Sequence, residues 1–164
     1  MNRTYNLRVW TRYLESPERV WQSKTDPDRL AAEFEPLGAM TVSDKHRADM
    51  EACFRQVGNR VQLELCVGPL GFRWPMELEL IEPGLAYSDT SENRLYSEWH
   101  HEHRIHPASD GCLYVDEVRF VPALPGCRRW ARMTERLFQH RHRRTARWMK
   151  VELGCVGVSA LRVI

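Results

Sequence analysis

The residues best suited to chemistry are alternating histidines near the middle of the chain. His101 and His103 stand two positions apart in the run that begins at Trp99, so in a β-strand their side chains project from one face. Imidazole binds metals and moves protons near neutral pH. A zinc site needs three or four ligands, however, and no cysteine or carboxylate stands at a motif-like distance to complete one. We therefore expect no metal and no other cofactor.

A neighbouring strand supplies a partner for these histidines. The stretch from Cys112 to Val121 also alternates and follows the histidine run after a loop. If that loop has six residues, His103 lies opposite Tyr114 and His101 lies opposite Asp116. Asp116 can then accept a hydrogen bond from His101 and fix its tautomer. Such a pair is either a general base with its orienting carboxylate or a structural pair that holds the hairpin in register, and we favour the structural role.

These two strands belong to a longer series of alternating segments. Short runs with every second residue apolar, separated by turn residues, are typical of an antiparallel meander. The predicted strands cover 5–13, 41–54, 61–67, 72–80, 85–90, 97–106 and 112–121.

Helices are predicted on both sides of the meander. Ser16-Pro17 and Asp26-Pro27 each place a capping side chain before a proline, which predicts two short helices. Beyond Pro125 the period becomes helical as far as Lys150, which predicts one long helix of about 25 residues. Its inward stripe is predicted to contain Trp130, Met133, Leu137, Phe138, Arg141, Thr145 and Trp148.

Charge is spread unevenly along the 164 residues, although the net charge is only +2. The segment 125–150 carries eight Arg and one Lys against the single acid Glu135. We interpret it as a solvated helix face whose arginines pair with acidic strand residues at Glu77, Glu79 and Glu117. Binding of nucleic acid or of an anionic surface through these arginines is the weakest alternative, and no nucleic-acid partner is expected.

The composition favours one cytoplasmic domain. With 43% hydrophobic and 28% charged residues, the chain is too apolar for disorder and too charged for an integral membrane protein. The five cysteines form no C-x-x-C pair and no signal peptide is evident, so we expect reduced thiols in the cytoplasm. The domain is expected to span 1–150. The tail, 151–164, suits a strand, a homodimer contact or a frayed end.

The order of elements resembles the START-like helix-grip superfamily, also called SRPBCC or polyketide cyclase/dehydrase-like proteins. The similarity rests on a W-x-H-x-H pattern, a D-G turn, a D-x-V pattern, a proline and an F-x-x-R-H-R pattern. The matching residues are Trp99, His101, His103, Asp110, Gly111, Asp116, Val118, Pro122, Phe138, Arg141, His142 and Arg143. The resemblance implies an α+β fold in which a curved antiparallel sheet of six or seven strands wraps one long C-terminal helix around a ligand cavity.

Such a cavity favours binding of a hydrophobic small molecule, such as a lipid, a polyketide or an aromatic compound. The alternative is a polyketide cyclase/aromatase-like enzyme in which His101 and Asp116, helped by Tyr114 or Tyr87, move protons on a poly-keto substrate. Whether the chain is an enzyme stays open, and a binding protein is favoured. The predicted ligand-binding residues are Trp74, Met76, Leu78, Tyr87, Trp99, His103, Val118, Met133, Leu137 and Phe138.

Overall fold

The computed structural model describes residues 3–41, 48, 54, 56–67 and 70–164. Three helices occur in these residues: α1 Pro17–Thr25, α2 Pro27–Phe34 and α3 Cys127–Thr145. The strands are β1 Tyr5–Tyr13, β2 Ala39–Thr41, β3 Arg60–Val67, β4 Leu70–Glu82, β5 Ala86–Thr90, β6 Tyr96–Ala108, β7 Gly111–Pro122 and β8 Val158–Val163. They form one antiparallel sheet in the order β2-β3-β4-β5-β6-β7-β1-β8.

The predicted α+β arrangement of one antiparallel sheet and a long C-terminal helix is confirmed. The sheet has eight strands rather than six or seven, and the extra strand is β8, which comes from the tail. β8 pairs antiparallel with β1, so the strand alternative for the tail is the one observed. The predicted strand from Thr41 to Phe54 lies largely outside the described residues. Only Thr41, the last residue of β2, belongs to a described strand.

Strand β1 shows how the sheet acquires an inner face. Its alternate side chains are buried and the side chains between them are exposed or half-buried, as the sequence predicts. The buried members are Tyr5, Leu7, Val9, Thr11 and Tyr13. Because β7 and β8 pair with β1 on either side, the strand has no free edge and its inner face is fixed toward α3.

The short helices begin where the capping residues predict. The Ser16 side chain accepts a hydrogen bond from the Arg19 N–H and caps α1, while the Asp26 carboxylate accepts two backbone N–H bonds at the start of α2. A proline occupies the first turn of each helix. These caps set the directions from which Lys24, near the end of α1, and Glu33, near the end of α2, enter the interior.

The hairpin between β6 and β7 corrects the predicted register by two residues. The strands continue to the pair Ala108 and Gly111, so the loop is a two-residue turn instead of a six-residue loop. His103 therefore pairs with Asp116, and His101 pairs with Val118. Gly111 has φ +143, and a Cβ there would lie 2.1 Å from the Tyr13 carbonyl oxygen, so the tight turn requires glycine. A shift of two residues keeps every side chain on its predicted face.

Helix α3 is shorter than predicted, and its buried face overlaps the predicted stripe only at Phe138, Arg141 and Thr145. It has 19 residues rather than about 25. Met133 is 49% exposed, so its prediction as an inner lining residue is wrong. The buried positions are Ala131, Thr134, Phe138, Arg141, His142 and Thr145. The inner face of α3 is largely polar, because Thr134 and His142 meet polar groups of the sheet and Arg141 and Thr145 meet Glu33 of α2.

Two other expectations concern the cysteines and the membrane. Four cysteines lie in the described residues, and all four are free thiols: Cys66, Cys112, Cys127 and Cys155. None of the described helices is long and apolar enough to cross a membrane. The cytoplasmic location stays a prediction.

Candidate functional site

Polar side chains from three strands and one helix meet in the interior between the sheet and α3. Asp89 comes from β5, His101 and His103 from β6, and Asp116 from β7. We call these four residues the histidine cluster. All are at most 4% exposed. The alternation of β6 and β7 places the three predicted residues on one face, and Asp89 joins them because β5 pairs with β6.

Asp116 is the well-satisfied carboxylate of the histidine cluster. One oxygen lies 2.9 Å from His103 Nδ1, 3.2 Å from His101 Nε2 and 2.6 Å from the Tyr114 hydroxyl, which donates to it. The other oxygen lies 3.0 Å from His142 Nε2. The predicted contact between His101 and Asp116 is therefore present, along a diagonal of the sheet.

Asp89 faces the opposite edges of the same two imidazole rings. Its carboxylate oxygen lies 3.5 Å from His101 Nδ1 and 3.6 Å from His103 Nε2. The two rings lie 3.7 Å apart, and the Tyr87 ring stacks on His103 at 3.8 Å. Two imidazoles thus stand side by side between two carboxylates, one held closely and one at a distance.

The surroundings shift the pKa values of these groups in different directions. Burial, with the neighbouring His103, lowers the pKa of His101 to about 4. Burial would also lower the pKa of His103, but Asp116 and Asp89 together raise it above its ordinary value. Burial would raise the pKa of Asp116, but His103 and His101 hold it well below its usual range. At neutral pH, Asp116 is therefore a carboxylate and His101 is neutral.

A hydrogen-bonded chain links this cluster to α3 and the C-terminal segment. His142 bridges Asp116 and the Thr11 hydroxyl, with its Nδ1 2.8 Å from Thr11 Oγ1. Thr11 Oγ1 also accepts the backbone N–H of Gly157 at 2.9 Å. Burial lowers the pKa of His142. The three histidines around Asp116 therefore come from two separate elements of the fold.

A second polar group lies deeper between α1, α2 and α3, and we call it the ion network. It consists of Lys24, Glu33, Arg141 and Thr145, which are all at most 8% exposed. Glu33 accepts from Lys24 Nζ at 2.6 Å, from Thr145 Oγ1 at 2.7 Å and from Arg141 Nε at 3.0 Å. Burial would raise the pKa of Glu33, but the two cations lower it.

The sequence analysis did not predict several of these residues. Asp89 shares a strand face with Tyr87, but β5 has four consecutive buried residues and no alternation, so it carries no signal for Asp89. His142 lies four positions after Phe138, so its inward direction follows once Phe138 is known to face the sheet. Lys24 and Glu33 carry no such signal, because charged residues of these types are almost never fully buried unless they are paired.

The predicted aromatic lining packs against itself. The rings of Trp74 and Trp99 lie 4.8 Å apart, and those of Trp99 and Phe138 lie 6.0 Å apart. The space expected between these three residues is thus occupied by the rings themselves. Trp99 is 7% exposed, yet its indole N–H has no hydrogen-bond partner within the described part of the chain.

The remaining predicted lining residues fall into two apolar clusters. Val118 packs with Trp99 and Phe138 in one cluster, and Met76, Leu78 and Tyr87 belong to the other, which lies under α2. Leu137 is half-buried. With the exception of Met133, the predicted residues therefore lie at least partly within the protein.

The arginines of α3 form an open groove on the surface. A depression of about 850 Å³ is bounded by the first turns of α3 and the start of β1, and Met133 lies in its floor. Its cationic side chains are Arg3, Arg128, Arg129, Arg132 and Arg136. The expected pairing of α3 with strand acids is wrong, because those acids lie on the outer face of the sheet, away from α3. Glu77 pairs with Arg60, Glu79 with His100, and Glu117 with Arg8.

A family match covers both buried polar groups. A family model described as "Domain of unknown function (DUF8410)" matches residues 12–149. The chain belongs to this family. The matched range contains the ion network and the histidine cluster. No curated protein matches the chain.

Solved structures share the arrangement of sheet and helix. Protein CV1439 from Chromobacterium violaceum is 18% identical, with 90% of this chain and 98% of that chain covered at a TM-score of 0.72. Ara h 8.0201 is 10% identical, with coverages of 88% and 97% and a TM-score of 0.64. The AHSA1 protein from Silicibacter pomeroyi is 17% identical, with coverages of 87% and 96% and a TM-score of 0.64. Similarity at this level shows the helix-grip fold alone.

Proposed function

We propose that this protein binds a largely hydrophobic small molecule between the sheet and α3, with one polar acceptor of the ligand directed at Trp99. The observation that carries the proposal is the buried indole N–H of Trp99, which has no partner in the described chain. A buried donor without an acceptor costs about 1–3 kcal/mol, and a ligand acceptor would remove that cost.

The surroundings of Trp99 suit such a ligand. Trp99 packs in a cluster with the apolar side chains of Val118 and Phe138, and the ring centre of His101 lies 6.0 Å from the indole. His101 Nε2 also lacks a well-aligned hydrogen bond, although Asp116 is 3.2 Å away. A ligand with an apolar body and one polar group would match this boundary.

Binding requires the aromatic cluster to open. Because Trp74, Trp99 and Phe138 contact one another, a ligand in this region replaces ring contacts with its own apolar surface. The cost of separating the rings is offset by the new contacts only if the ligand is itself large and apolar. Lipids, polyketides and fused aromatic compounds meet this requirement.

Native mass spectrometry of freshly purified protein tests the proposal first, since it reports the mass of any co-purified ligand and the number of subunits. A neutral fluorescent probe, N-phenyl-1-naphthylamine, then measures affinity. Trp99→Phe keeps an aromatic side chain but removes the pyrrole ring with its N–H, so the co-purified ligand should bind about 5- to 30-fold more weakly. Trp10→Phe, on the half-buried outer side of β1, is the matched control and should have no effect.

Two results would refute this function. The first is that no ligand co-purifies and the folded protein does not bind the neutral probe. The second is that a ligand does bind but its affinity is the same in wild type, Trp99→Phe and Trp10→Phe, since the ligand would then lie elsewhere.

The hydrogen-bonded chain around Asp116 favours a second candidate, a cyclase/aromatase-like enzyme that moves protons on a poly-keto ligand. His103 contacts Tyr114 at 2.6 Å, and both contact Asp116, so a proton can be passed along this chain. The variant His101→Ala separates the two candidates. Loss of cyclisation with retained probe binding supports the enzyme, whereas probe binding without turnover of any tested substrate, in wild type and in His101→Ala, supports the binding protein.

A further inference from the structure

We propose that Asp89, His101 and His103 form a binding site for a divalent cation of the zinc type. One potential ligand atom from each of the three residues lies within 4.8 Å of the other two. Asp89 Oδ2 faces His101 Nδ1 and His103 Nε2. All three side chains are buried, so no bulk water competes for these atoms. The proposal is independent of the proposed organic ligand.

The distances between these atoms suit metal ligands better than hydrogen-bond partners. Asp89 Oδ2 is 3.5 Å from His101 Nδ1 and 3.6 Å from His103 Nε2, whereas N–H···O bonds are usually about 2.7–3.2 Å long. Zinc binds imidazole nitrogen and carboxylate oxygen at about 2.0–2.2 Å with tetrahedral angles. Two ligands of one such ion are therefore about 3.4 Å apart, close to the observed spacing.

The hydrogen bonds of His103 leave its other nitrogen facing Asp89 as an acceptor. The Tyr114 hydroxyl donates its proton to Asp116, so the contact of 2.6 Å between Tyr114 and His103 requires the imidazole Nδ1 to carry the hydrogen. In the neutral ring, Nε2 then presents a lone pair to the Asp89 carboxylate. A cation between these two acceptors would bond to both of them.

Asp116 holds both imidazoles in the direction that metal binding needs. Metal-binding histidines commonly direct their second nitrogen at a carboxylate, which fixes the ring orientation. Here the same Asp116 oxygen lies 2.9 Å from His103 Nδ1 and 3.2 Å from His101 Nε2. Tyr114 and His142 anchor that carboxylate in turn. Asp116 is therefore a positioning residue of the proposed site.

The charge balance also calls for a cation at this point. Lys24 and Arg141 are both engaged by Glu33, and the Asp89 carboxylate has no cationic partner in the described chain other than the two histidines. A divalent ion would balance the charges of Asp89 and Asp116. Three protein ligands would leave a fourth position for water or a ligand atom, as in zinc sites of the catalytic kind.

The test uses tag-free protein that has been stripped with a chelator and dialysed. Titration with Zn²⁺ at pH 7.5, followed by calorimetry, should show one ion per chain, and Co²⁺ should give the intense visible absorption of a tetrahedral site. Asp89→Asn and His101→Gln should each weaken Zn²⁺ binding by at least about 100-fold, and Asp116→Asn by about 10- to 100-fold. His100→Gln is the control on the outer face of the same strand, where His100 is 38% exposed, and it should bind Zn²⁺ like wild type.

The site also has a test that does not depend on variants. X-ray absorption of the Zn²⁺ or Co²⁺ complex of the wild-type protein should show only nitrogen and oxygen neighbours, with the outer-shell scattering of two imidazoles. Sulfur neighbours would place the ion at a cysteine and overturn the proposal. It is equally overturned if stripped protein binds none of Zn²⁺, Co²⁺, Ni²⁺ and Mn²⁺, or if folded Asp89→Asn binds Zn²⁺ as tightly as His100→Gln.

Discussion

The ion network and the histidine cluster are both buried between the sheet and the helices, but they are satisfied to different degrees. In the ion network, every charged group meets an opposite charge at 2.6–3.0 Å. In the histidine cluster, Asp116 is as well satisfied, whereas Asp89 meets only two imidazole edges at 3.5–3.6 Å. The two groups nearly touch, because Lys24 Nζ lies 4.6 Å from the centre of the Tyr114 ring.

This difference indicates which group is complete without a ligand. Removing charges from water is costly, and the cost is recovered only when geometry and partners are good. The ion network meets that condition with protein groups alone, so a structural role explains it. In the histidine cluster, Asp89 lacks such close partners, and a bound cation would supply the missing partner.

The largest effect is expected from Glu33→Gln. This change leaves Lys24 and Arg141 as buried cations without a carboxylate, which should lower the free energy of unfolding by about 3–5 kcal/mol. Urea unfolding followed by circular dichroism measures it. Glu35→Gln is the control, since Glu35 is 65% exposed and pairs with Arg144 at 3.3 Å, and it should cost under about 1 kcal/mol. An equal loss in both variants would mean that the ion network is not a structural unit.

The next effect is the dependence of stability on pH in metal-free protein. His103 has a raised pKa in the folded protein, so its contribution to the free energy of unfolding is complete below about pH 6.5. This contribution is lost as the pH rises through the pKa of His103 in the folded protein. His101 and His142 have lowered pKa values, so stability falls as the pH drops from about 6.5 toward 4. For His101 alone this loss is about 3 kcal/mol, at about 1.4 kcal/mol per pKa unit. Stability should therefore peak near pH 6.5.

The ion network predicts a different pH range. The lowered pKa of Glu33 makes its contribution constant above about pH 4.5, and it is lost only as the pH falls below that value. The variant His142→Gln should reduce the loss of stability between pH 6.5 and 4, since only His101 then contributes to it, and should leave the acid limb unchanged. Urea unfolding at pH intervals of 0.5 checks this. A flat wild-type curve from pH 8 to 5 would contradict the assigned protonation states.

A smaller effect is expected for Asp116→Asn. The amide keeps the shape of the side chain but presents N–H to either the Tyr114 hydroxyl or His142, both of which need an acceptor. We expect a loss of about 1–3 kcal/mol in urea unfolding at pH 7. Asp110→Asn provides the comparison at an exposed site that pairs with Arg12, and it should stay within about 1 kcal/mol of wild type.

The smallest effect is expected for Asp89→Asn in metal-free protein. Since Asp89 has no close partner, the amide should change the free energy of unfolding by under about 1 kcal/mol, or stabilise the protein by donating to a histidine nitrogen. The same urea unfolding measures it, followed by the shift on addition of Zn²⁺, which should be lost. A destabilisation as large as that of Asp116→Asn would remove the distinction between the two carboxylates.

Much of the fold follows from local patterns. The alternation in β1 predicts its buried face, and Ser16 and Asp26 predict the starts of α1 and α2, because strand pleating and helix capping depend on neighbours in the sequence. The same logic places His101, His103 and Asp116 on one face of a hairpin. That part of the candidate site was predictable even with a register two residues in error, since such an error changes partners but not faces.

Other features depend on contacts between distant residues. The inward face of α3 was predicted correctly at Phe138, Arg141 and Thr145 but wrongly at Met133. His142 was missed, because this side chain becomes favourable inside only where Asp116 accepts its hydrogen bond. The two-residue turn at Gly111 depends on the close approach of Tyr13 from another strand.

The sequence by itself determined the order of most elements, the inner face of β1 and the placing of His101, His103 and Asp116 on one face of a hairpin, since all three depend on local periodicity. Only the tertiary structure brought Asp89 to the other edge of the same imidazoles, through the pairing of β5 with β6. It also buried Lys24 against Glu33 and Arg141. A charged side chain enters an interior only when partners from elsewhere in the chain are already placed to receive it, and no local pattern carries that information.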